Sequence, residues 1–177
     1  MKNVAVYILV GLGAVGYNAM TAVDRDDSGA IIDSGSVGAF DLRVGDCFDD
    51  TTAMENGEIM NLPGVPCTDP HDNEVYALID VEMDDWPGDD AMGDLAMDRC
   101  LEHFATFVGR DYETSALDIY TMYPSKESFA QNDREVVCAV YDMEFNKLQG
   151  SVQGTPGRFM ISPFSIAVVS SKQSPTR

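Results

Sequence analysis

Asp89-Asp-Ala-Met-Gly-Asp-Leu-Ala-Met-Asp-Arg-Cys-Leu-Glu-His-Phe-Ala-Thr-Phe-Val-Gly109 carries the clearest periodicity in the chain. Met92, Leu95, Ala96, Cys100, Phe104, Phe107 and Val108 recur at steps of three and four, which places them on one buried stripe of an α-helix. Asp89 or Asp90 is the expected N-terminal cap and Gly109 the C-terminal stop. Strand patterns surround this helix. Residues 74–81 (EVYALIDV) put Val75, Ala77, Ile79 and Val81 on one face. Residues 116–123 (ALDIYTMY) do the same with Leu117, Ile119, Thr121 and Tyr123, and residues 134–141 (REVVCAVY) with Val136, Cys138 and Val140. Residues 41–48 read as a short strand and turn, 65–72 as a turn-rich connection, and 84–90 as a loop. Ser125 is the expected cap of a short helical turn, and residues 148–152 are expected to pair with 134–141 across a turn near Asn146. Helix and strands mix without βαβ alternation, so the fold class is α+β with a mainly antiparallel sheet and one main helix.

The chain has 177 residues, one domain's worth, and 30 Asp and Glu oppose 11 Lys and Arg for a net charge of −19. The sequence pI is about 4.1. A phosphate backbone needs cations to displace its counterions, so nucleic acid is excluded as a partner. General adsorption to an anionic lipid surface is disfavoured for the same reason. With 45% hydrophobic residues the chain is not disordered throughout.

Residues 4–23 (VAVYILVGLGAVGYNAMTAV) contain no charge over a length that crosses a hydrocarbon core of about 30 Å. Lys2 precedes the run, and Asp24, Arg25, Asp26 and Asp27 follow it, which favours a cytoplasmic N-terminus. The competing readings are a signal peptide cleaved after Ala19 or Ala22, whose sites are poor, and a buried soluble segment. The reading adopted is a membrane anchor at 1–23, a flexible linker at 24–40, an extracytoplasmic domain at 41–154 and a C-terminal tail at 155–177. The protein is then placed in the plasma membrane with its main domain outside the cytoplasm. In the tail, residues 159–169 are apolar but too short to span a bilayer and broken by Pro163. Phe159 and Phe164 make it a candidate for docking on a partner or the bilayer surface.

Three motifs imitate active chemistry. Gly11, Gly13 and Gly16 fit a dinucleotide fingerprint with Asp33 downstream, but no βαβ units follow. Residues 30–36 (AIIDSGS) resemble an aspartic-protease loop, yet only one copy is present and the chemistry needs two carboxylates. Asp80, Glu82, Asp84, Asp85, Asp89 and Asp90 cluster like a calcium loop, but Asp85 and Ala91 stand where an EF-hand starting at Asp80 needs Gly and Glu. A solvated acidic loop is the simpler reading.

Cys47, Cys67, Cys100 and Cys138 are the four cysteines, an even number in a domain expected outside the cytoplasm, and they read as two disulfides. Of the three connectivities, Cys47–Cys67 and Cys100–Cys138 are favoured. Cys100 lies on the buried helix stripe and Cys138 on a strand face, while Cys47 and Cys67 both sit in loop-like segments. No CxxC spacing supports zinc, and no cofactor is called for. His71, between Asp69 and Asp72, is either a general base or a turn residue bonded to backbone, and His103 reads as a helix-surface histidine.

Asp41-Leu-Arg-Val-Gly-Asp-Cys-Phe48, the run VPCTDPHDNEVY at 65–76 and DREVVCAVYD at 133–142 resemble the extracytoplasmic domain of the actinobacterial septum formation family. Tyr123-Pro124-Ser125, Cys100-Leu101, residues 112–117 and Gly150-Ser151 fit as well. The resemblance implies an envelope protein with a membrane anchor and a small domain outside, and a link to division septa. The four cysteines match the family's pattern. The resemblance brings no catalytic residue.

The expected function is a non-enzymatic, membrane-anchored envelope protein that binds another protein or serves as an accessory subunit of a membrane complex. His71, Phe159 and Phe164 are the candidate interaction residues. The alternatives are an envelope-acting enzyme using His71 with nearby carboxylates, and an acidic cation- or ligand-binding domain.

Overall fold

A computed structural model of the chain describes residues 22–51 and 58–155. The elements in chain order are β1 (Asp24–Arg25), β2 (Ile31–Asp33), β3 (Gly35–Gly38), β4 (Cys47–Phe48), β5 (Asn61–Val65), β6 (Pro70–His71) and β7 (Asn73–Asp80). They continue with α1 (Asp89–Val108), β8 (Leu117–Met122), α2 (Lys126–Ala130), β9 (Glu135–Asp142) and β10 (Leu148–Gln149). The fold is α+β: a six-stranded antiparallel sheet in the order β3-β5-β4-β7-β9-β8, with α1 packed on one face.

The expected stripe does position α1. Met92, Ala96, Cys100, Phe104, Phe107 and Val108 are buried on it and Leu95 is half-buried. Gly88 takes the N-terminal cap position with no side-chain cap, and Asp89 and Asp90 fall inside the first turn, where carboxylates favour the positive end of the helix dipole. Gly109 closes the helix at φ 80°, its N–H bonded to the Ala105 carbonyl, a conformation that suits a residue without Cβ. The Cys100–Cys138 disulfide ties the middle of α1 to β9, and the Tyr76 hydroxyl donates to the Cys100 carbonyl at 2.8 Å.

Strands β7 and β9 are buried on both faces. The helix side packs Ala77, Val81, Val136, Cys138 and Val140 against α1. The other side packs Val75, Val137 and Ala139 with Val37, Leu42, Phe48 and Leu62 from the β3–β5 limb. One expectation changes here. Val75 pairs with Ala139 and Ala77 with Cys138, so Tyr76 is the extra residue of a β-bulge. The bulge turns Val75 to the face opposite Ala77, Ile79 and Val81, which strict alternation had grouped together.

Residues 148–152 also depart from expectation. β9 already has β7 on one side and β8 on the other, so it offers no free edge. The chain turns at Phe145, whose N–H bonds to the Asp142 carbonyl, and β10 pairs with β6 instead, Leu148 opposite His71.

The linker read at residues 24–40 folds onto the domain. Arg25 grips the buried Asp46 with two bonds, Nη1 to Oδ1 at 2.6 Å and Nη2 to Oδ2 at 2.7 Å, and Asp46 also accepts from the Arg43 N–H. β3 pairs with β5 along four residues. Val23, Ile31 and Val37 close over Gly64, where an added Cβ would lie 2.7, 3.1 and 3.2 Å from their side chains. A segment rich in Gly, Ser and Asp is thus strapped down by its few apolar residues and one ion pair. β2, which ends at Asp33, runs antiparallel to β1, not in a βαβ unit.

Among the described residues no helix is long and apolar enough to cross a membrane. The span expected at residues 4–23 lies outside them, with its three glycines, except for Ala22 and Val23. Those two are extended, Ala22 bridging to Ser36 and the Val23 N–H bonding to the Ser36 carbonyl. Phe159 and Phe164 also lie outside the described residues.

Candidate functional site

His71 stands at the end of a turn closed by the Asp69 N–H on the Pro66 carbonyl. Its ring is fully buried, and Nδ1 lies 2.8 Å from the Asp69 carbonyl, so Nδ1 carries the proton and donates it there. Nε2 is buried with no hydrogen-bond partner among the described residues. Beside it, Glu74 is also fully buried and accepts from the Ser151 hydroxyl at 2.5 Å and the Val152 N–H at 2.6 Å. Burial pushes the Glu74 carboxyl above its ordinary value, and the two donors and the nearby His71 only partly offset it. Cys47 completes the group: one donor atom each from Cys47, His71 and Glu74 lie within 4.8 Å of one another.

This cluster joins β4, β6, β7 and the chain after β10. The Cys47 sulfur is already bonded to Cys67, so it is no thiolate donor for a metal in this state. His71 and Glu74 have no surface to meet a substrate, whereas a general base must come within hydrogen-bond reach of the proton it takes. The sequence sets Glu74 three residues from His71, within the acidic run around it, but does not place Ser151 or Val152 there; the pairing of β10 with β6 brings those two. His103 is exposed on α1, and among the described residues no three carboxylates of the 80–90 acidic run converge as a ligand set.

The open feature lies elsewhere. A cavity of about 440 Å³ is formed by Phe40, the 58–60 segment, Trp86, residues 120–125 at the end of β8, and Asp133, Glu135 and Val137. Its apolar wall includes large exposed side chains, Phe40 at 61%, Tyr123 at 43% and Met60 at 37%. Each comes from a separate segment held by backbone. The Ala39 N–H bonds to the Met60 carbonyl, Tyr123 follows the last residue of β8 and abuts Gly93 of α1, and Trp86 meets Phe129 edge-on at 5.4 Å. α2 begins with the expected Ser125 cap, its oxygen accepting from the Ser128 N–H at 3.0 Å while the Ser128 hydroxyl accepts from the Ser125 N–H at 3.0 Å.

The floor and rim of the groove are acidic. Glu58 accepts from the Ser125 hydroxyl, and Asp133 accepts from the Ser128 hydroxyl at 2.8 Å and the Glu135 N–H at 3.1 Å. Glu135 sits above its ordinary pKa because of burial, reinforced by the like charges of Asp80 and Asp133. The neighbouring Arg134 does not answer them: its guanidinium lies 3.5 Å over the Phe129 ring and bonds to the Met83, Phe129 and Asp133 carbonyls. Sequence reasoning missed this groove, because its residues are scattered from Phe40 to Val137.

No curated protein and no solved structure matches the chain. A family model described as septum formation matches residues 41–161, about two thirds of the chain. The stretches quoted above at 41–48, 65–76 and 133–142 lie inside that match, and they build β4, the His71 cluster and β9. On this match the chain belongs to the septum formation family.

Proposed function

We propose that the chain is a non-enzymatic, membrane-anchored envelope protein whose extracytoplasmic domain docks another protein in the course of septum formation. The single observation that carries this reading is the groove at the end of β8, where large apolar side chains stay open to solvent on a disulfide-braced scaffold. Contiguous exposed apolar surface marks an interaction site, and covering a Phe or Met side chain contributes about 1.5–3 kcal/mol. The family supports the link to septum formation. The chemistry-bearing His71 and Glu74 are enclosed, which fits a structural role for them. In the finer version of this reading the protein is an accessory subunit, anchored by residues 1–23, of a larger membrane complex.

The test is affinity purification of the full-length chain from its own membranes in mild detergent, with mass spectrometry of intact subunits. A reproducible companion is expected with the wild-type chain and its loss with Phe40→Asp. Fixed stoichiometry would make the protein a subunit. The same companion with both chains, or none with either, sinks the docking reading. In parallel, His71→Ala is expected to lower the unfolding midpoint and leave the companion in place.

A further inference from the structure

We infer that the groove at the end of β8 receives an extended cationic polypeptide segment, which sets a lysine or arginine among Glu58, Asp133 and Glu135 and lays an apolar side chain on Phe40 and Tyr123. The inference rests on the docking reading above and names the chemistry of the partner.

Among the described residues the groove is lined by four carboxylates, Glu58, Asp89, Asp133 and Glu135, and by no Lys or Arg. Among the described residues, Glu58 and Asp133 accept from hydroxyls and a backbone N–H, which orient the carboxylates without neutralising them. A neighbouring depression shares Phe40, Asp133 and Glu135 and adds Asp80 and Glu82. Its one cation, Arg134, is spent on Phe129 and on main-chain carbonyls. A desolvated cation placed here relieves like-charge crowding that the domain itself leaves in place.

The groove's shape fits the same occupant. β8 ends the sheet and pairs only with β9 among the described strands, and its residues Tyr120–Met122 form a wall of the groove. A strand edge suits an extended chain. The apolar wall separates a polypeptide from a bare polyamine or metal ion, which has no side chain to lay on Phe40.

The chain's own tail is basic, with Arg158, Lys172 and Arg177. The described chain ends beside the C-terminus of α1, where the Gly154 N–H bonds to the Phe107 carbonyl. The groove touches Asp89 at the other end of that helix, and twenty residues of helix span about 30 Å. Fully extended, the seventeen residues from Pro156 to Lys172 could reach about 56–61 Å, so the tail is the competing occupant and its cations are replaced in the experiment.

The experiment uses the full-length chain in mild detergent at about 0.15 M salt. The probe is a twelve-residue peptide alternating lysine with valine and phenylalanine. Two matched peptides replace either the lysines by glutamate or the apolar residues by glycine. Binding is read by fluorescence anisotropy. Saturable binding of the first peptide alone is expected. E58Q/D89N/E135Q should weaken it by about tenfold or more, and Phe40→Ala should weaken it as well. D98N/E102Q/E113Q, which removes the same number of charges away from the groove, should leave it within about twofold. Equal losses in both triple variants, or glycine peptides that bind as well, mean diffuse attraction to an acidic surface and overturn the inference. So does binding that appears only after Arg158, Lys172 and Arg177 are replaced, since the tail is then the occupant. If Phe40→Asp abolishes co-purification while E58Q/D89N/E135Q leaves it intact, docking stands and the cationic partner falls.

Discussion

Asp46 carries more than its own charge. It is 3% exposed, it holds both nitrogens of the Arg25 fork, and its backbone carbonyl accepts from the Val75 N–H. Removing one partner of such a pair leaves a buried charge without an answer. Asp46→Ala is expected to cost about 3 kcal/mol in urea unfolding. Arg25→Ala should cost a similar amount, and the double variant less than the two together. Full additivity would show that the fork is a surface contact. Glu74 gives a prediction of opposite sign to an ordinary salt-bridged carboxylate. Its folded pKa is raised, so the native state holds its proton above the pH at which the unfolded chain releases it. The stability it contributes is fully present below the unfolded value and falls as pH rises toward the folded one. Glu74→Gln cannot ionise. Between about pH 4 and pH 7, therefore, the stability difference between the two chains should move in favour of the Gln variant. A constant difference across that range, from urea midpoints at each pH, would show that Glu74 titrates as it does in the unfolded chain.

Among the elements, α1 is fastened at three places: its buried stripe, the Tyr76 hydroxyl bond and the Cys100–Cys138 disulfide. That disulfide closes a sequence separation of 38, which corresponds to roughly 4 kcal/mol in the chain-entropy account. C100A/C138A should lose roughly 3–4 kcal/mol of stability yet keep its far-ultraviolet circular dichroism, because the stripe still docks. Loss of the helix signal would mean that the crosslink, not the packing, defines α1. The helix, the faces of β8 and β9, the Ser125 cap and the pairing of the cysteines were legible because each depends on local period or on a single covalent rule. Others were not, because tertiary competition decided them. Tyr76 bulges so that Val75 can join the second core while Tyr76 itself reaches Cys100. Residues 148–149 go to β6 because β9 has no edge left. β1–β3 form in a stretch whose composition argues against strands because Val23, Ile31 and Val37 find Gly64.

For the molecule as a whole, a net charge of −19 means that the folded chain repels itself. Added sodium chloride should raise the melting temperature by several degrees between about 0.01 and 0.5 M, where screening shortens from tens of ångströms to a few. A flat response would mean that the ion pairs already balance the surface. The groove was illegible at this scale for a related reason: thirty acidic residues make every surface look alike in sequence, and only the fold reveals which carboxylates lack a cation. The Arg25 fork has a mechanical meaning too. A free run of seventeen residues from Asp24 to Phe40 could pay out roughly 56–61 Å of chain and let the domain search a wide shell. Bolted at its second residue, that run has no slack. A pull on the chain at Val23 therefore passes through Arg25 and Asp46 straight into β4 and β7, and the strap and the sheet move as one bracket.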